Sequence, residues 1–168
     1  YKRQLIAFIV CCVMAFGQGV HFEDLTLDEA LAKAKAENKL VFMDCYTSWC
    51  GPCKWMATEI FPQKEAGDYF NPKFISVKYD MEKGEGLKLK DKYKPSGYPT
   101  FFIIRPDGTV QHAVVGGGEL EPFIERVKKG LNEKTSLLYL NQQYEKGKMN
   151  KKQLLAYKAA LDLSLIHI

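Results

Sequence analysis

No second Cys-x-x-Cys pair accompanies Cys50 and Cys53 in this 168-residue chain. Its three histidines, His21, His112 and His167, show no ligand spacing with one another or with Cys45. A structural zinc site wants four ligands, so no metal is expected. Net charge is also small: it is +4, and the lysines are interspersed with acids, which argues against a nucleic-acid partner. The apolar stretch from Leu5 to Phe16 is shorter than the roughly 20 residues a membrane-spanning helix needs. Strand signals disappear after about Asn132. A hydrophobic content of 46% excludes a disordered or fibrous chain and suits one globular core with a modest extension.

The first residues, "YKRQLIAFIVCCVMAFGQG", place Lys2 and Arg3 before that apolar stretch and small and polar residues after it. This is the layout of a secretory signal peptide, with cleavage expected near Gly17 or Gly19, and a retained membrane anchor is the second reading. The chain opens on Tyr1, so an initiator Met is expected upstream. Loss of the signal removes Lys2 and Arg3 and lowers the net charge from +4 to +2. It also removes Cys11 and Cys12 of the five cysteines, leaving Cys45, Cys50 and Cys53. An odd number in an exported chain leaves one thiol free or paired elsewhere.

Thr26 with Glu29 forms a capping-box pattern ahead of apolar Leu27, Ala30, Leu31 and Ala34, predicting a helix over 27–37. "KLVFMDCY" (39–46) reads as a buried central strand. Cys50 then follows that strand, and Pro52 to Trp55 open the next helix, which Pro62 should bend or end. "KFISVKYD" (73–80) reads as a second strand and "GEGLKLKDKYK" (84–94) as a short exposed helix. Two strands follow, joined by Pro106-Asp107-Gly108, and then an amphipathic helix with Leu120, Phe123, Ile124 and Val127 on one face. The alternation implies an α/β fold with a central mixed sheet flanked by helices. From Asn132 two helices are expected around Gly147–Asn150, with Asn150 and Gln153 as a capping pair. The expected divisions are 1–19 signal, 20–131 α/β domain and 132–168 helical extension, truncated and with a tail, "LSLIHI", that departs from the preceding pattern.

Disulfide exchange needs one thiolate that attacks and a second thiol that resolves the mixed disulfide. Cys50 at a helix N-terminus has its thiolate stabilised by unpaired N–H groups and the helix dipole, whereas Cys53 sits a turn further in. On that reading Cys50 is the exposed, attacking sulfur and Cys53 the buried, resolving one. A bare Cys-x-x-Cys is also compatible with a structural disulfide, although one closing so short a loop adds little stability.

Trp49-Cys50-Gly51-Pro52-Cys53-Lys54 follows a strand bearing Asp44, and Gly97-Tyr98-Pro99-Thr100 precedes another strand. Over roughly Phe22 to Leu131 the chain here resembles the thioredoxin family. That resemblance implies a thioredoxin-like fold and a cysteine pair working without a cofactor. It implies a cis Pro99 beside the sulfurs, with the Tyr98 backbone pairing with the substrate chain. It also makes Asp44 the buried acid that helps move a proton from the resolving thiol, and burial should raise its pKa. Trp49 is expected to pack over the active-site loop and shape the substrate surface, and Lys54 to be a solvated helix residue. The lysine that family members carry near the acid aligns with Ser76, with Lys78 two residues on. Cys45 should face the opposite side of the sheet from Asp44 as a core residue.

The Gly-Pro spacer resembles the reducing end of the family, and the exported setting resembles periplasmic thioredoxin-like domains. Together these imply a protein-disulfide reductase acting on proteins with cysteines or disulfides and recharged by a membrane electron donor. The alternatives are a disulfide oxidase or isomerase, or a non-enzymatic binding module recruiting partners through the helical extension.

Overall fold

The strand before the cysteine pair sits at the centre of the sheet because all five of its inner residues, Val41 to Cys45, are buried. A strand covered on both faces must be internal. This strand, β1 (Leu40–Tyr46), runs parallel to β2 (Phe74–Asp80) and antiparallel to β3 (Thr100–Ile104), which pairs antiparallel with β4 (Val110–Val115). The order β2-β1-β3-β4 makes the expected mixed sheet. The computed structural model describes residues 19–132 and 134–164, so residues 1–18 of the expected signal peptide, with Cys11 and Cys12, and also His167 lie outside the described residues.

One face packs beneath α1 (Leu27–Glu37) and α4 (Glu85–Tyr93), where Met43, Cys45, Val77 and Phe102 meet Leu27, Ala30, Ala34 and Leu89. Thr26 and Glu29 make the reciprocal capping box that the sequence predicts. The α4 helix is less exposed than expected, because Gly86 and Leu89 are buried.

The other face carries α2 (Gly51–Trp55), α3 (Lys64–Phe70) and α5 (Leu120–Leu131). Phe42 lies at the centre of that side, stacked on Phe101 at 5.5 Å and 7° and tilted against Phe70 at 4.8 Å. Phe22, Phe61, Phe74 and Phe123 complete the ring contacts around it. This aromatic block supports the two strands that carry Asp44 and lead into Pro99.

Two local features were not foreseen. The α2 helix continues as a π-helical turn over Met56–Ile60, closed by Phe61 N–H donating to the Met56 carbonyl at 2.9 Å, and it ends before Pro62. The short α3 helix buries Ala66, Gly67 and Phe70, and two of these are too small to register as an apolar pattern. Gly67 is required there, since a Cβ would collide with the Gly19 backbone.

The hairpin between β3 and β4 has a register shift between Ile103 and Ile104. Beyond it, α6 (Leu137–Glu145) and α7 (Lys151–Ser164) pack together and against β4. The helical pair therefore covers the otherwise open edge of the sheet, a position that invites strand pairing if left bare. Asn150 and Gln153 cap α7 reciprocally, as expected.

Truncating the central ring tests this packing. Phe42→Ala should cost about 3–5 kcal/mol in chemical denaturation, by lost burial and an unfilled cavity. Loss below about 1 kcal/mol would mean that the aromatic block is not what supports β1.

Candidate functional site

Where β1 ends, Cys50 N–H donates to the Thr47 carbonyl at 3.2 Å, turning the chain into α2. Cys50 is the residue that caps α2, with extended backbone angles, and Pro52 lies in the first turn. Its sulfur occupies the place where a Ser or Asp oxygen usually caps, and it accepts the Cys53 N–H at 3.1 Å. Cys50 and Cys53 are joined as a disulfide with Cα atoms 5.3 Å apart. The helix N-terminus thus offers the Cys50 sulfur both a hydrogen bond and the positive end of the dipole, the environment that favours a thiolate.

Cys53 is buried at 6% exposure, as expected, but Cys50 is buried too, at 3%, against the expectation that it is exposed. What distinguishes them is the helix terminus, because only the Cys50 sulfur accepts a backbone N–H. Gly51, Pro52 and Lys54 are exposed on the same turn.

Trp49 directly precedes this turn. It stands out from the surface at 65% exposure, edge-on to Tyr98 at 6.1 Å, with its indole N–H donating to Glu82 at 3.0 Å. Glu82 was missed by sequence reasoning because it lies 33 residues from Trp49 and nothing local marks it. The Tyr98–Pro99 peptide is cis, Pro99 is buried, and its carbonyl accepts Gly116 N–H at 2.8 Å. The loop after β4 reaches the active-site helix: a Cβ at Gly117 would come within 2.8 Å of the Met56 side chain.

Asp44 is buried on β1, and its Oδ1 has no hydrogen-bond partner. Burial pushes its pKa up to about 7 from an ordinary value near 3.8, and Lys78 partly opposes the rise. The parallel register sets Lys78 directly opposite Asp44, whereas Ser76 lies opposite Phe42. Lys78 is therefore the residue that the ladder sets beside Asp44, two residues beyond the position that the resemblance aligns with the family lysine. Ser76 is buried with its hydroxyl unpartnered.

A cleft of about 430 Å³ opens beside this pair, lined by Asp44, Lys78, Ala57 and Phe61 together with Gly19 to Phe22. Ala57 follows Cys53 by one helical turn, so the cleft reaches the underside of the cysteine helix. The Gly19–Phe22 segment is strapped across by Val20 N–H to the Phe61 carbonyl and by His21 N–H to Asn71. Cys45 faces the α1 side, fully buried, and burial and Asp44 together push its thiol well up. Among the described residues no group of three or more His, Cys, Asp or Glu side chains could hold a metal ion.

The thioredoxin-like family model matches residues 22–106 of this chain, from the segment that closes the Asp44 cleft through both strands that frame the cysteines. The chain belongs to the thioredoxin-like family. In this thioredoxin-like chain the redox couple is the cysteine pair itself, with no added cofactor. A candidate disulphide-isomerase from Bacteroides thetaiotaomicron is 41% identical, covering 69% of this chain and 96% of that one, with a TM-score of 0.63. The oxidised C-terminal domain of DsbD from Neisseria meningitidis is 25% identical over 66% of this chain and 98% of that one, with a TM-score of 0.53. Protein disulfide-isomerase of Zea mays is 29% identical over 62% of this chain but only 21% of its own length. The thioredoxin-like chain therefore spans about a fifth of that relative.

Asp44 makes stability depend on pH. Its folded pKa lies above its unfolded value, so the folded state holds the extra proton and stability falls as pH rises from about 4 to about 7, at ~1.4 kcal/mol per unit at the steepest. Asp44→Asn should flatten this slope and stabilise the protein at pH 8 in urea titrations. Removing the opposing charge by Lys78→Met should extend the slope to higher pH. A wild-type curve that is level across this window would refute the buried-acid assignment.

Proposed function

We propose that this thioredoxin-like chain is a thiol-disulfide oxidoreductase that reduces protein disulfides, with Cys50 attacking and Cys53 resolving. The observation that carries this reading is the Cys50 sulfur accepting the Cys53 N–H at the start of α2. In the reduced form the same position stabilises a Cys50 thiolate.

The Cys50 thiolate attacks one sulfur of a substrate disulfide, forming the mixed disulfide and releasing the other substrate sulfur as a thiolate, which takes up a proton. Cys53 then gives its proton to ionised Asp44 by way of the cleft beneath α2 and attacks the Cys50 sulfur. The Cys50–Cys53 bond forms, the mixed disulfide breaks, and the second substrate thiol leaves. Two electrons pass from the cysteine pair to the substrate. A carboxyl group with a pKa of about 7 is suited to accept and return that proton near neutrality. Trp49 and Tyr98 form the surface that meets the substrate chain, with Tyr98 supplying backbone hydrogen bonds beside Pro99.

The setting we propose is an exported, periplasmic one, reached through the signal segment at 1–19 and supplied with electrons by a membrane protein. The likeness to the DsbD C-terminal domain supports that setting. Among the described residues no helix is long and apolar enough to cross a membrane. The second reading is an isomerase, which the 41% identity to the Bacteroides candidate disulphide-isomerase favours.

Cys50→Ser should abolish insulin disulfide reduction, whereas Cys53→Ala should retain the first attack and accumulate mixed disulfides through Cys50 that mass spectrometry can read. Full turnover by Cys50→Ser, or adducts on Cys53 in place of Cys50, would overturn the assignment. Rescue of scrambled ribonuclease at rates far above insulin reduction would favour the isomerase.

A further inference from the structure

A second cavity, of about 420 Å³, lies far from the cysteines in sequence, between the edge strand β4 and the two C-terminal helices. Its inner wall is apolar: Ala113, Val114, Leu140, Ala156 and Ala159 line it. Three of these are alanines, and their short side chains leave the space open. Lys129, Lys134 and Lys152 stand on its rim, and no carboxylate among the described residues lines it. All three lysines are exposed and without an ion-pair partner among the described residues.

The other polar lining residues are already engaged: the Thr135 hydroxyl donates to the Lys129 carbonyl at 2.8 Å and Gln153 Oε1 accepts Asn150 N–H at 3.0 Å. Arg126 donates to the carbonyls of Val115, Gly116 and Gly117 at 3.0, 3.1 and 2.5 Å. His112 accepts Leu137 N–H on its Nδ1 at 3.2 Å, and burial, then Lys129, lower its pKa to about 4, so it is neutral at pH 7. The lysines are thus the groups free to meet a charged ligand.

Sites for small organic molecules are mostly apolar concavities of about 300–1,000 Å³ with a few polar groups that fix orientation, and this cavity meets that description. From the apolar wall and the three lysines on its rim we infer that it binds a small amphipathic carboxylate, its apolar body against the alanine-lined wall and its carboxylate among Lys129, Lys134 and Lys152. A neutral apolar molecule would leave the three cations unpaired, and a small inorganic anion would leave the wall empty.

Decanoate and the neutral decanamide, titrated calorimetrically into the full chain, test this directly. Decanoate should bind saturably, one per chain, at least tenfold tighter than the amide, and weaken as salt is raised. The double substitution Lys129→Gln, Lys152→Gln should erase the preference for the acid. Ala156→Leu should fill the space and abolish binding of both probes, and Ala159→Leu, one turn further along α7, should do the same. These residues lie outside the proposed redox machinery, so insulin reduction by the variants should be unchanged and reports that they are folded. Equal affinity for acid and amide, non-saturable binding, or decanoate binding undiminished in a folded Ala156→Leu or Ala159→Leu variant would overturn the proposal.

Discussion

A sulfur occupies the position where a helix would ordinarily be capped by oxygen, and the rest of the site follows from that substitution. The Cys50 sulfur accepts the Cys53 N–H at the mouth of α2, so the helix partly satisfies its own terminus with the atom that enters the disulfide. This arrangement requires β1 to deliver the chain to one point at a fixed angle. The aromatic block around Phe42 fixes the strand, and the Thr47 turn fixes the exit. Exposure does not separate the two cysteines, because both are nearly buried. Their polarity within the helix does.

The second constraint is a carboxyl group placed where charge is costly. Asp44 shares its face of β1 with Phe42 and gains no hydrogen bond at Oδ1, so desolvation sets its pKa, and only Lys78 across the parallel ladder offsets the rise. Such a group lowers stability at neutral pH, and it is positioned in a cleft that runs under the cysteine helix. The Gly19–Phe22 strap narrows access to that cleft, which keeps the dielectric around Asp44 low.

The elements whose patterns are local were legible in the amino-acid order. Thr26 and Glu29 announce α1, Pro106-Asp107-Gly108 announces the hairpin, and the apolar 40–46 run announces a central strand. The π-helical turn was hidden because nothing in the pattern of Met56 to Ile60 sets it apart from ordinary helix. The α3 helix was hidden because it buries alanine and glycine. At the site, the cysteines, Asp44 and Pro99 were readable from spacing and family resemblance. That Lys78 and not Ser76 faces Asp44 was not readable, since register between parallel strands depends on the crossover that joins them and not on either strand alone. Glu82 and the orientation of Trp49 are tertiary facts with no local trace.

Exchange chemistry is reversible, so the direction of electron flow depends on how much the site stabilises the reduced pair relative to the disulfide. The hydrogen bond and dipole at Cys50 favour a thiolate, which pulls toward an oxidant, whereas buried Asp44 disfavours additional negative charge beside it and pulls the other way. The Gly51-Pro52 spacer resembles that of the reducing members, which is the direction we propose. The equilibrium potential of the Cys50–Cys53 couple against a glutathione or dithiothreitol buffer measures this balance. The account predicts a value near that of thioredoxin, about −270 mV, and a value above about −150 mV would contradict it.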